Sequence, residues 1–187
     1  MDEQVRRAMA RWPDVPAVYG WLRLDRRGNW LLIDRGRPGF DEARDGAGSP
    51  ITNAQIVDFI ARNYQCDPQG RWYWQNGPQR VFVDLDLAPL ILRVLGSGAD
   101  ARLVAHTGEP VTRVDAAWRT PDGDLMLSTD LGPGAIHDMD LGSLRIEASD
   151  RDDDAPVRLT LQGRDLEILA PECAPRASFD RRPRPAS

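Results

Sequence analysis

The sequence contains no lysine; all 24 of its basic residues are arginine. That excludes a Schiff-base lysine, a P-loop cation and a buried lysine acting as general base. Only two cysteines occur, Cys66 and Cys173, far apart and outside any CxxC motif. A disulfide scaffold is excluded, and a reducing cytoplasmic setting is expected. The two histidines, His106 and His137, lack the spacing of a helical metal pair, and no metal site is expected. No apolar run approaches the ~18 residues that a membrane span requires, and the opening MDEQVRRAMARW lacks the apolar region of a secretory signal. GxSxG, GxGxxG, P-loop and HExxH motifs are all missing, which argues against an enzyme. A net charge of −5 disfavours a nucleic-acid partner.

What is present is an ordinary globular share of apolar residues, 41%, broken by 16 glycines and 15 prolines. The pattern predicts a mainly β (α+β) fold. Residues 1–15 form a short helical segment, 16–95 a first β-rich unit, 96–170 a second, and 171–187 an aperiodic, disordered tail. In the first unit, strands at 18–24 and 29–33 flank the turn Asp25-Arg26-Arg27-Gly28. Residues 36–50 read as loop. Ile56, Val57, Phe59 and Ile60 recur at helical spacing and predict a packed helix at 53–64. A second hairpin runs through 71–75 and 79–85 around Asn76-Gly77-Pro78. Strands follow at 90–95, 103–106, 111–119, 125–129, 144–148, 157–161 and 166–169, with an acidic turn at Asp150–Asp154. That run lacks the glycine and terminal glutamate of an EF-hand loop.

One pattern occurs twice. Gly70 opens an aromatic strand and is followed by DLDLAPLIL, while Gly123 opens GDLMLS and is followed by DMDLGSLRI. Either the chain contains a duplication or two β-meanders share a common turn chemistry.

The stretch from Trp30 through Ser49-Pro50-Ile51, Val57 and Phe59, Gly70 with Trp72-Tyr73-Trp74, Gln79-Arg80-Val81 and Asp86-Leu87-Ala88-Pro89-Leu90 resembles a family of uncharacterised proteobacterial domains of unknown function. The resemblance implies a duplicated core and a second domain like a pleckstrin-homology fold. It also implies binding of a small, nucleotide-like ligand between the domains, in signalling. The chain departs from that pattern at Gln79-Arg80 and at Asp86-Leu87, and carries an insertion near 36–48.

The residues themselves suggest where a ligand would sit. On a strand, Trp72 and Trp74 share one face, either as a stacking platform for a planar ligand or as core. Arg80, Asp84 and Asp86 share a face of the next strand, as contacts to phosphate, base or ribose or as a solvated row of ion pairs. With Asn76 at the turn, the expected ligand-binding set is Trp72, Trp74, Asn76, Arg80, Asp84 and Asp86. The function read from this is a cytoplasmic, non-catalytic binding module with no cofactor beyond a nucleotide-like ligand. The alternatives are a protein-interaction domain with an exposed strand edge, and an enzyme built on scattered aspartates.

Overall fold

The computed structural model describes residues 1–147, 157–175 and 179–185. The Asp150–Asp154 turn lies outside the described residues. In chain order the elements are α1 (Glu3–Arg11), β1 (Val18–Leu24), β2 (Trp30–Leu32), α2 (Glu42–Asp45), β3 (Ser49–Pro50), α3 (Ala54–Arg62), β4 (Tyr64–Cys66), β5 (Trp72–Asn76), β6 (Gln79–Leu85), β7 (Leu90–Leu95), β8 (Arg102–Ala105), β9 (Val114–Arg119), β10 (Leu125–Thr129), β11 (Gly132–Ile136), β12 (Arg145–Glu147), β13 (Arg158–Leu161) and β14 (Arg164–Leu169). The fold is mainly β, as the sequence pattern predicts. Among the described residues no helix is long and apolar enough to cross a membrane.

The chain forms two compact units, Met1–Pro89 with Ser178–Ser187, and Leu90–Ala177. The division falls before β7, which the sequence reading placed in the first unit. The first unit holds a six-stranded sheet in the order β3-β2-β1-β6-β5-β4. Every neighbour is antiparallel except β1 and β6, which run parallel. Gly20 sits at φ 72°, open to glycine without strain, where the β1–β6 register shifts between Val18 and Leu22. Leu22, Leu24, Trp30, Val83 and Leu85 fill the core of this unit.

Helix α3 starts where Asn53 caps it, its Oδ1 accepting the amides of Gln55 (3.0 Å) and Ile56 (3.2 Å). Of its apolar stripe Ile60 is wholly buried, while Ile56 is exposed. The helix ends two residues earlier than its periodicity suggests, because Tyr64–Cys66 leaves to pair with β5 as β4.

The second unit holds an eight-stranded sheet, β12-β13-β14-β9-β10-β11-β7-β8, with β14–β9 and β11–β7 parallel. Its core includes Leu92, Leu103, Leu125, Leu127 and Leu159. Strand β11 has the sequence GPGAI, whose glycines and proline speak against a strand. It forms because β10 and β7 hydrogen-bond it from both sides.

The two sheets share a sub-pattern. The order β2-β1-β6-β5-β4 is matched by β8-β7-β11-β10-β9, with the one parallel pair in the same place. Each sheet also carries a two-pronged Arg–Asp pair. Arg23 of β1 donates to Asp86 through Nε (2.7 Å) and Nη2 (2.8 Å). Arg93 of β7 donates to Asp140 through Nε (2.6 Å) and Nη2 (3.2 Å). Each aspartate is the second of its Asp-x-Asp-Leu segment. The edge strands β3, β4, β8 and β12 are two to four residues long, and β3 contains Pro50.

The tail differs from expectation. Residues 179–185 lie against the first unit, where disorder was expected. The Asp180 amide donates to the Gly70 carbonyl at 2.9 Å, and the Leu85 amide donates to the Arg181 carbonyl at 2.9 Å. The absence of periodicity that suggested disorder is also what a segment held by separate polar contacts looks like.

Candidate functional site

The β5–β6 hairpin carries most of the residues singled out in the sequence, and its register sorts them. Residues directly opposite in an antiparallel pair share a face. Trp74 faces Val81 and Asn76 faces Gln79, whereas Tyr73 faces Phe82 and Gln75 faces Arg80. Trp72, Trp74 and Asn76 therefore lie on the face covered by α3. Arg80 and Asp84 lie on the other, where Arg23 of β1, paired in register with Asp84, reaches Asp86. The six residues form two groups on opposite faces.

On the helix side, aromatic rings pack edge to face. Phe59 meets Trp74 at 5.8 Å and 87°, and Trp30 meets Tyr64 at 5.0 Å and 82°. Trp72 is buried against Tyr64 at 4.9 Å, which makes it core. Beside Trp74 a cavity of about 320 Å³ is walled by Val18, Trp21, Leu32, Ile51 and Val81, with Asn76 and Gln79 supplying its polar groups. The indole N–H of Trp74 is shielded from solvent and donates to no acceptor among the described residues. Trp21, Leu32 and Ile51 were not singled out in the sequence. Trp21, an aromatic out of phase with Leu22 and Leu24 in the alternation of β1, was the available signal.

The opposite face is polar and stacked. Tyr19 lies on Phe82 at 4.6 Å with planes 8° apart. The Arg71 guanidinium sits 4.8 Å from the Phe82 ring centre, and that of Arg80 sits 4.9 Å from Tyr73. Asp84 is only 4% exposed, because the C-terminal segment covers it. Arg184 donates to it at 2.9 Å, and Arg182 lies 3.5 Å away. Arg182 also comes within 3.6 Å of Asp86, and the Arg181 guanidinium donates to the Asp86 carbonyl. The hydrogen bond to Asp86 pushes the Arg23 pKa up, against the opposing effect of burial. Rather than a solvated row, this face is an ion-pair layer closed by the chain's own arginines.

The two histidines lie in the second unit. His106 Nδ1 accepts the Ile91 amide, and His137 Nδ1 accepts the Met139 amide, each at 3.2 Å. Among the described residues no group of three or more His, Cys, Asp or Glu side chains is arranged to hold a metal ion.

These features define a β-rich protein of two sheet units with an aromatic-walled cavity in the first. The profile of DUF2944, described as "Protein of unknown function (DUF2946)", matches residues 1–184, and the chain belongs to that family. No curated protein matches it. Its fold is similar to the crystal structure of a DUF1285 family protein from Silicibacter pomeroyi DSS-3, with a TM-score of 0.53 and 16% identity over 83% of this chain and 82% of that one. A DUF1285 family protein from Shewanella baltica OS155 aligns with a TM-score of 0.43 and 15% identity over 64% of this chain and 85% of that one.

Proposed function

We propose that the first unit is a non-catalytic binding module that takes a small aromatic molecule into the cavity beside Trp74. The observation that carries this reading is the Trp74 indole, which lines an apolar cavity of about 320 Å³ and whose shielded N–H has no acceptor among the described residues. A buried donor left unpaired costs about 1–3 kcal/mol, which a ligand acceptor would recover. The volume falls in the range of small-molecule sites, and Asn76 offers a second polar contact. A flat heteroaromatic ring such as a nucleobase fits that chemistry. Arg80, Asp84 and Asp86 lie on the other face, so the ligand is nucleoside-like and lacks the phosphate contact first assigned to Arg80. The short edge strands and Pro50 favour this reading over addition of a partner's strand.

Two further elements complete the proposal. The two sheets are copies of one ancestral unit, supported by the shared strand order, the repeated Asp-x-Asp-Leu segment and the repeated Arg–Asp pair. A cytoplasmic setting is supported by the two unbridged cysteines, Cys66 and Cys173. A signalling role and a pleckstrin-homology-like second unit rest on the family resemblance.

The test is a thermal-shift and titration series with nucleosides, free bases and nucleotides. Saturation at a hundredfold excess over Kd adds about 2.7 kcal/mol, or a rise of about 5–10 °C in Tm. Trp74→Phe keeps an aromatic ring at this position but removes the N–H together with part of the indole, so it should weaken binding about tenfold or more. A flat response across the series, or equal binding by Trp74→Phe, overturns the reading.

A further inference from the structure

The face of the β5–β6 hairpin away from α3 has a cavity of its own, about 450 Å³, between the hairpin and the end of α1. Met9, Trp12, Pro13 and Val15 make its apolar wall, and Gln75 and Arg80 its polar one. Three observations set the chemistry it would take.

Gln75 is wholly buried, with a fractional exposure of 0%, and among the described residues its Oε1 accepts no hydrogen bond. The amide cannot turn over to relieve this. Its Nε2 donates to the Gly77 carbonyl at 2.9 Å, and a flip would set oxygen against oxygen there. The site therefore presents a fixed acceptor waiting for a donor.

Arg80 is the cross-strand partner of Gln75. Its guanidinium rests on Tyr73 and pairs with no carboxylate among the described residues. It is also the one charged group among the described residues that line the cavity. Directly opposed residues have Cβ atoms about 4.5–5.5 Å apart, so the two polar groups line the cavity side by side. Nearby, the Arg11 guanidinium lies 4.8 Å from the Trp12 ring centre, likewise without a carboxylate partner among the described residues. Trp12 itself is 50% exposed, an indole face open to a ligand's apolar body.

We infer that this cavity is a second binding site, separate from the one beside Trp74, for a carboxylate with an adjacent amide N–H and an apolar side group. The carboxylate pairs with the fork of Arg80, the N–H donates to Gln75 Oε1, and the side group lies on Trp12. That combination occurs in an N-acylated amino acid and at the C-terminus of a peptide.

Calorimetric titration of the full chain with N-acetyl-L-phenylalanine, its C-terminal amide, and a pentapeptide ending in phenylalanine tests the inference. The acid should bind, and the amide, which lacks the charge, should bind at least about tenfold more weakly. Arg80→Gln, at an exposed position, should weaken the acid to the same degree and leave the amide unchanged. Gln75→Leu should also lose the acid, with the circular dichroism spectrum checking that the sheet is intact. Tighter binding of the pentapeptide points to a polypeptide C-terminus as the natural source, and equal binding to a free metabolite. No heat from the acid at millimolar concentration, or equal affinity for acid and amide, or full affinity in Arg80→Gln, overturns the inference.

Discussion

Asp140 offers a direct measurement of what a repeated Arg–Asp pair contributes. Strand β11 ends at Ile136, and on that side of β7 the Val94 amide has no strand among the described residues to pair with. The carboxylate of Asp140 takes over, accepting Val94 N–H at 3.0 Å and Arg93 Nε at 2.6 Å. The two interactions are worth different amounts. Asp140 is 12% exposed in its side chain and Arg93 51%, so the ion pair is screened and contributes about 0–1 kcal/mol. Removing the acceptor strands a covered backbone donor, at about 1–3 kcal/mol. Asp140→Ala should therefore cost about 2 kcal/mol, and Arg93→Met, which keeps the apolar stem, less than about 1 kcal/mol.

Native-state hydrogen exchange of Leu92 and Leu127 reads this within the second unit, without assuming that the two units unfold together. Exchange should rise about 30-fold in Asp140→Ala and no more than about fivefold in Arg93→Met. The Asp140 pKa is lowered by the Arg93 hydrogen bond, against desolvation, with help from the Val94 amide. A carboxylate that holds its proton less readily when folded stabilises fully above its unfolded pKa of about 3.9, and loses that contribution as pH falls through its lower folded value. The wild-type advantage over Asp140→Asn should accordingly shrink below about pH 4. If Arg93→Met costs as much as Asp140→Ala, the ion pair carries the site and the argument from the backbone donor fails.

Asn53→Ala removes the cap of α3 and should cost about 1 kcal/mol, seen first as faster amide exchange at Gln55 and Ile56. Gly134→Ala would set a Cβ 2.9 Å from Cγ and Cδ1 of the fully buried Leu92. The resulting overpacking should cost about 1–3 kcal/mol, measured by urea titration, and Leu92→Ala in the same background should recover part of it. The double change Arg182→Ala and Arg184→Ala strips both cations from Asp84. The C-terminal segment should then lift away and let the carboxylate hydrate, with the Leu85 and Asp180 amides losing protection together. Unchanged protection at Leu85 would show that the segment is held by its backbone alone.

The hairpins were legible because their signals are local. Gly28, Gly70 and Gly123 adopt positive φ, and the alternation beside them gives strands with the expected bounds to within a few residues. The misses are non-local. Tyr64 reads as the last residue of a helix until β5 is there to pair with β4, and Gly132–Ile136 carries no strand signal until β7 and β10 enclose it. The C-terminal arginines showed nothing by spacing, since their partners Asp84 and Asp86 lie about a hundred residues away.

The candidate site failed in the sequence for a related reason. Alternation along β5 separates Trp74 from Gln75, and alternation along β6 separates Arg80 from Val81, but neither strand alone says which face of one meets which face of the other. The register through Asn76-Gly77-Pro78-Gln79 decides it, joining Trp74 to Val81 and Gln75 to Arg80. A slip of one residue in β6 would put Arg80 among the aromatics under α3 and Val81 beside Gln75. Burying that guanidinium against Trp74 and Phe59 without a carboxylate is expensive, so the apolar face of α3 enforces the observed register. One hairpin thereby walls two chemically distinct cavities, an apolar one with a spare donor and a cationic one with a spare acceptor. The same packing that fixes the fold keeps them apart.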